Sequence, residues 1–167
     1  PHMLPPPAQF ASMVKKMGIG DGMRVIAYDS SGLYSAGRVW WMFRTMGHED
    51  VAVLNGGLKK WKAENRPVTD EPPPQRSERH FTPRFNPALV RDLDDVKAIV
   101  ASGREQIVDA RAAERFRGEA IEPRKGLRAG HMPGAANVPF ATLLKADGTL
   151  KSTDEIEAAF KAAGIDL

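Results

Sequence analysis

A proline-rich segment between residues 66 and 87 divides this chain into two parts. The segment contains six prolines and many charged residues, and its few apolar residues have no regular spacing. Because proline fixes φ and lacks a backbone N–H, it disfavours both a helix and a central strand. The sequence therefore predicts an extended linker over residues 66–87, between a domain in residues 1–65 and another in residues 88–167.

The part before the linker alternates between runs of strand type and runs of helix type. Residues 23–28 form a short apolar run, which predicts a buried strand, and turn-forming residues follow at 29–32. The same reasoning predicts a helix over 35–46, a strand over 51–54 and a helix over 58–64. Strand, helix, strand and helix in this order are typical of a parallel sheet with crossover helices.

The part after the linker repeats this alternation. Asp92 is predicted to cap a helix that ends near Ser102, and residues 106–108 read as a strand. Further along, we predict a short helix over 114–117, a long loop to Gly134, and a last helix over 153–163 that begins with a capping box of Ser152 and Glu155. Both parts are thus predicted to be α/β, with a parallel sheet flanked by helices, and each looks like an incomplete domain.

Composition excludes several functions. The 167 residues contain no cysteine, four histidines without ligand spacing and a net charge of +3. We therefore expect no disulfide, no metal site and no other cofactor. The weak positive charge forms no dense basic stripe, so a nucleic-acid partner is not expected. Neither a membrane-length apolar run nor a secretory signal is visible, and we expect a cytoplasmic protein with no membrane partner.

Two arginines, Arg115 and Arg124, are the candidate substrate-binding residues. Glycines and a proline around them restrain the backbone, which would hold both guanidinium groups in place. A guanidinium binds a carboxylate through two parallel hydrogen bonds, so a pair of them can clamp a small anion. The alternative is a pair of surface arginines bound to Glu114, Glu119 or Glu122. Exposed ion pairs of this kind contribute little to stability.

Several motifs occur in a fixed order around and before these arginines. They are Asp109-Ala-Arg-x-x-x-Arg115-Phe-x-Gly118, Glu122-Pro-Arg124-x-Gly126, Gly130-His-Met-Pro-Gly-Ala-x-Asn-Val-Pro-Phe140 and, earlier, Leu33-Tyr-Ser-Ala36, Arg38-Val-Trp-Trp41 and Asn55-Gly-Gly-Leu-x-x-Trp61. The later motifs resemble the second domain of the two-domain rhodanese superfamily, specifically the 3-mercaptopyruvate sulfurtransferases. The earlier ones resemble the closing half of the first, non-catalytic domain of the same family.

The resemblance implies a rhodanese-like fold in two tandem domains and sulfurtransferase chemistry. In this family a cysteine attacks the sulfur of 3-mercaptopyruvate, pyruvate leaves, and the persulfide sulfur passes to a thiol such as thioredoxin or to cyanide. Arg115 and Arg124 are implied to hold the substrate's carboxylate and keto oxygen. The cysteine is implied to lie just after Leu167, and Asp29 stands near the corresponding position of the first part.

Three expectations follow from the missing cysteine. The chain would be a fragment that lacks the start of the first domain and the end of the second, and it would be inactive alone. It would associate with its missing pieces or with a second copy, since incomplete sheets leave open edges. A thiosulfate sulfurtransferase on the same fold, or a rhodanese-like binding or regulatory module without turnover, remains an alternative.

Overall fold

The computed structural model describes residues 3–167 and divides the chain into two compact units, with the boundary between Val90 and Arg91. The helices and strands of the first unit are α1 (Pro7–Lys16), β1 (Val25–Ala27), α2 (Ala36–Thr45), β2 (Val51–Val53) and α3 (Gly57–Ala63), followed by a 3-10 turn at Pro87–Leu89. Strands β1 and β2 pair in parallel, with Val25 opposite Val51 and Ala27 opposite Val53. The predicted alternation and the parallel pairing are therefore confirmed for this unit, with somewhat shorter strands.

Helix α1 was not predicted from the sequence. It begins with Pro7 at its first position, where the missing N–H costs nothing, and it ends with two lysines in its last turn. Its buried face consists of Phe10, Ala11 and Val14, a spacing of one helical turn. This face packs into the apolar core of the first unit together with Phe43 and other residues.

The core of the first unit includes a residue from the predicted linker. The ring of Phe81 is 1% exposed, and its centroid lies 5.8 Å from that of Phe10 and 6.2 Å from that of Phe43, both in edge-to-face geometry. Backbone hydrogen bonds from Arg84 N to Met46 O (2.8 Å) and from Asn86 N to Thr45 O (2.7 Å) secure the segment that follows. Residues 66–86 contain no helix or strand, and their later part is packed within the first unit.

The second unit repeats the same architecture. Its helices and strands are α4 (Leu93–Ser102), β3 (Ile107–Asp109), α5 (Ala113–Arg117), β4 (Ala135–Asn137) and α6 (Thr153–Ala162), with a 3-10 turn at Phe140–Leu143. Strands β3 and β4 pair in parallel, so the α/β prediction is confirmed here as well. Both predicted helix starts are also confirmed, because Asp92 and Ser152 each form a complete capping box with the residue three positions on.

Each sheet in the described chain has only two strands. Parallel sheets are usually covered on both faces. Here, however, Ile26 of β1 is 50% exposed, and Tyr28, the residue that follows β1, is 59% exposed. Both residues line an open groove of about 780 Å³ within the first unit, together with Leu58 and Trp61. None of the helices in residues 3–167 is long and apolar enough to cross a membrane.

Candidate functional site

The candidate site starts at the C-terminal end of β3, where α/β sheets commonly bind ligands. Asp109 is the last residue of this strand, and its carboxylate accepts hydrogen bonds from the backbone N (2.9 Å) and from Nε (3.0 Å) of Arg111. The Asp109 side chain is only 8% exposed. Hydrogen bonds from the Arg111 guanidinium hold the pKa of Asp109 below its ordinary value, so this carboxylate is ionised at neutral pH.

Glu122 extends this ion pair into a network. Its carboxylate, which is 4% exposed, accepts hydrogen bonds from Arg111 Nη1 at 3.0 Å and from Arg115 Nη2 at 2.6 Å. A further bond from Arg115 Nε (3.2 Å) makes the Arg115–Glu122 pair two-pronged. Hydrogen bonds from Arg115, and to a lesser extent from Arg111, lower the pKa of Glu122. The hydrogen bond to Glu122 in turn raises the pKa of Arg115. The result is a chain of alternating charges running from Asp109 through Arg111 and Glu122 to Arg115.

The loop between α5 and β4 is closed at its base. Arg111 Nη2 donates to the carbonyl oxygen of Gly130 at 2.8 Å, and a Cβ atom on Gly118 would lie 3.3 Å from the nitrogen of Gly130. The His131 ring stacks on Phe116 at 3.7 Å, and its Nδ1 lies 2.7 Å from the Phe116 carbonyl oxygen. Since a carbonyl oxygen only accepts, Nδ1 is the protonated nitrogen. His131 therefore holds the loop in place.

Arg124 lies on this loop, two residues after Glu122. Its side chain is exposed, and no other residue in the described chain, 3–167, forms a hydrogen bond or ion pair with its guanidinium. Two residues span at most about 7 Å, so the backbone of Arg124 lies close to that of Glu122. The structure thus links Arg115 to the loop of Arg124 through Glu122.

The alternative interpretation, in which arginines pair with nearby glutamates on the surface, describes part of this region. Arg115 does pair with Glu122, as the surface alternative had it, but this carboxylate is buried. Arg117, by contrast, forms an exposed pair with Glu119, with both side chains more than half exposed. The role of Glu122 as the centre of the network was missed, because contacts across seven and eleven residues are not visible as a sequence pattern. The Glu-Pro-Arg motif was the sequence signal that could have pointed to Glu122.

The turn after β1 in the first unit is organised around Asp29. Its carboxylate accepts hydrogen bonds from the backbone N atoms of Ser31 (2.8 Å), Ser35 (2.8 Å) and Ala36 (2.9 Å), the last at the start of α2. Partial burial raises the pKa of Asp29, but the backbone hydrogen bonds outweigh this effect, and the pKa lies below its ordinary value. The turn therefore encloses an anion that is part of the chain itself.

Comparisons with known proteins agree with this architecture. Residues 2–64 match the family of rhodanese-like domains. Over 99% of its length, the chain superposes on the crystal structure of SseA from Escherichia coli, described as a 3-mercaptopyruvate sulfotransferase, with a TM-score of 0.87 and 40% identity. The chain has a rhodanese fold. It covers 61% of the SseA chain.

Two curated relatives of this chain carry different names. A human 3-mercaptopyruvate sulfurtransferase is 42% identical over 171 residues, and a bovine thiosulfate sulfurtransferase is 43% identical over 169 residues. In both cases the alignment covers 99% of this chain and 56% of the relative. The chain thus spans a little more than half the length of the curated relatives it matches.

No group of three or more His, Cys, Asp or Glu side chains that could hold a metal ion occurs within residues 3–167. The two carboxylates of the candidate site are instead bound by guanidinium groups. The guanidinium N–H groups of this region are donors that can also recognise an external anion.

Proposed function

We propose that this chain supplies the substrate-binding arginines of a sulfurtransferase that takes sulfur from 3-mercaptopyruvate. The observation that carries the proposal is the two-pronged Arg115–Glu122 pair beside the exposed Arg124, at the C-terminal end of β3 in a rhodanese fold. This pair leaves Nη1 of Arg115 with no partner among residues 3–167, so that edge is open to a carboxylate.

In the proposed reaction, a cysteine thiolate attacks the sulfur atom of 3-mercaptopyruvate. A sulfur–sulfur bond forms, the carbon–sulfur bond breaks, and its electron pair leaves with the enolate of pyruvate, which then takes up a proton. Arg115 and Arg124 bind the carboxylate and the keto oxygen, which stabilises the enolate and aims the carbon–sulfur bond at the thiolate. The persulfide sulfur then passes to a thiol such as thioredoxin or to cyanide.

The cysteine of this mechanism is not among the 167 residues, and we propose that it follows Leu167 in the intact protein. The first unit does not take part in sulfur transfer, since its equivalent turn holds Asp29. A carboxylate cannot carry a sulfane sulfur, and its hydrogen bonds already use the N–H groups of that turn. The division into a non-catalytic and a catalytic domain, with residues 66–87 between them, forms part of the same proposal.

The function is tested by assaying the full-length protein with both sulfur donors. We expect pyruvate release from 3-mercaptopyruvate and, by mass spectrometry, one added sulfur on a single cysteine. Higher kcat/KM with thiosulfate would favour the second candidate, which the similarity to a thiosulfate sulfurtransferase keeps open. An absence of turnover with either donor would favour a rhodanese-like binding or regulatory module.

The exposed sheet face of the first unit supports a proposal about partners. With Ile26 and Tyr28 half exposed over an open groove, the 167 residues expressed alone should bind their missing pieces or a second copy. Size-exclusion chromatography of the 167 residues alone should then show a species larger than the 18.3 kDa monomer, and added missing pieces should co-elute with the chain. A stable, compact monomer of 18.3 kDa would contradict this expectation.

A further inference from the structure

One buried carboxylate connects both arginines of the candidate site. The two oxygen atoms of Glu122 face the Nε and Nη2 atoms of Arg115 at 3.2 and 2.6 Å. With this edge of the guanidinium occupied, rotation of the Arg115 side chain would break two charge-assisted hydrogen bonds. Glu122 thus fixes which edge of Arg115 remains available.

Glu122 is itself held from the opposite side. Its Oε1 atom accepts a hydrogen bond from Arg111 Nη1 at 3.0 Å. Arg111 is in turn anchored to β3 through Asp109 and to the loop base through the carbonyl oxygen of Gly130. The position of Glu122 is therefore set by the strand and not only by the loop on which it lies.

Glu122 also begins the segment that carries Arg124. Pro123 follows it directly, and proline fixes its own φ and restricts the residue before it to extended conformations. With Glu122 anchored and Pro123 stiff, the backbone position of Arg124 has little freedom. Without the contacts of Glu122, the side chain of Arg115 and the backbone of Arg124 would both lose their fixed positions.

We propose that Glu122 is a positioning residue that orients Arg115 and anchors the segment bearing Arg124 for a singly charged 2-oxo carboxylate. The charges agree with this ligand class. Among residues 3–167, Asp109 and Glu122 balance Arg111 and Arg115, so Arg124 adds a positive charge beside this network that no ion pair compensates. This inference rests on the proposed function, because it assumes that the two arginines bind the substrate.

The kinetic test compares Glu122→Gln with Glu119→Gln in the full-length protein. Glu119 forms the same kind of two-pronged pair with Arg117, at 2.8 Å for each bond, but on the surface. Removing a negative charge beside Arg115 would by itself strengthen the attraction for an anion and lower KM. Loss of positioning instead raises KM, by about tenfold, and lowers kcat. Glu119→Gln should leave both constants unchanged.

Two outcomes of the kinetic test would overturn the proposal. In one, KM of Glu122→Gln falls or stays constant, and in the other, only the active fraction decreases, as a purely structural role would require. Glu122→Asp keeps the charge between the guanidinium groups and guards against a variant that fails to fold. It should fold like the wild type and have a KM between those of the wild type and Glu122→Gln.

A spectroscopic readout separates this proposal from the proposed function. The Nε–H group of Arg115 should give a sharp, slowly exchanging NMR signal in the full-length protein, because it is bound to Glu122. In Glu122→Gln this signal should move toward the position of a free arginine, and in Glu119→Gln it should not. If 3-mercaptopyruvate is not turned over but the signal behaves as described, the proposed function fails and the positioning remains. An unchanged signal in Glu122→Gln contradicts the positioning itself.

Discussion

The turns after β1 and β3 both place an aspartate near the end of a strand, but they satisfy it differently. Asp29 is bound by backbone N–H groups, which come from its own turn and from the start of α2. Asp109 is bound by the guanidinium of Arg111, which reaches on to Glu122. A backbone N–H group has a single hydrogen to donate. A guanidinium has five N–H groups and can bind a second carboxylate at the same time.

Under the proposed function, this difference decides which turn accepts an external anion. In the first unit, the anion is built in, and the donors around it are already used. In the second unit, the alternating charges end at Arg115, which keeps an open edge, with Arg124 exposed two residues beyond Glu122. The turn after β1 is therefore closed by its own donors, whereas the turn after β3 leads to the two arginines that we propose bind the substrate. The following experiments test this contrast, starting with the largest expected effect.

Arg115→Ala should have the largest effect on catalysis. It removes the open guanidinium edge and also leaves Glu122 with one partner fewer, so both binding and orientation are lost. We expect kcat/KM for 3-mercaptopyruvate in the full-length protein to fall by about a hundredfold, through a higher KM and a lower kcat. Arg117→Ala, two residues along α5, is the matched control and should leave the kinetics unchanged. Unchanged kinetics in Arg115→Ala would refute the clamp.

Arg124→Ala should have a smaller effect in the same direction. The exposed side chain has no partner in the described residues, so its removal should leave the network of Glu122 intact. We expect a rise in KM and a fall in kcat that together reduce kcat/KM by about tenfold. Lys125→Ala changes the charge by the same amount one position further on, and it should have little effect. Equal losses in the two variants would point to general attraction of anions instead of a specific contact.

Asp29→Ala should alter stability but not substrate binding. It leaves three backbone N–H groups near the start of α2 without their acceptor, and loss of such a cap costs about 1 kcal/mol. This corresponds to about fivefold faster hydrogen exchange in peptides covering residues 29–45. KM for 3-mercaptopyruvate should not change. Asp50→Ala removes a carboxylate from an exposed pair with Arg24 and serves as the control with a smaller effect.

A change in KM with Asp29→Ala would break the contrast between the two turns. It would mean that the first unit contributes to the substrate site. A turn whose N–H groups are bound to its own aspartate could then no longer be taken as inactive in binding.

Local patterns in the sequence predicted most helices and strands, the cap at Asp92 and the capping box of Ser152 and Glu155, because these depend on neighbours within one turn. They did not predict α1, whose apolar face follows a run of prolines, or the burial of Phe81, a single aromatic in a polar segment. Tertiary packing determines both. For the site, the motifs identified Arg115 and Arg124, whose assignment to the substrate stays a prediction. The central Glu122 depends on contacts between distant residues.

The smallest effect concerns the pH dependence of the first turn. The pKa of Asp29 is lower in the folded than in the unfolded chain, where it is about 3.9. The unfolded state therefore binds the proton more readily, and the stability that Asp29 provides is complete above about pH 5 and is lost as the pH falls through the folded pKa.

Asp29→Asn keeps the shape of the side chain but cannot ionise, so it isolates this contribution. We expect the wild type to show slower local opening than Asp29→Asn at pH 6, in hydrogen exchange corrected for the intrinsic rate, and the difference to shrink below about pH 4. Because the partners of Asp29 are uncharged N–H groups, added salt should leave the difference at pH 6 almost unchanged. A difference that is independent of pH, or that salt removes, would mean that the turn after β1 is stabilised by something other than its enclosed carboxylate.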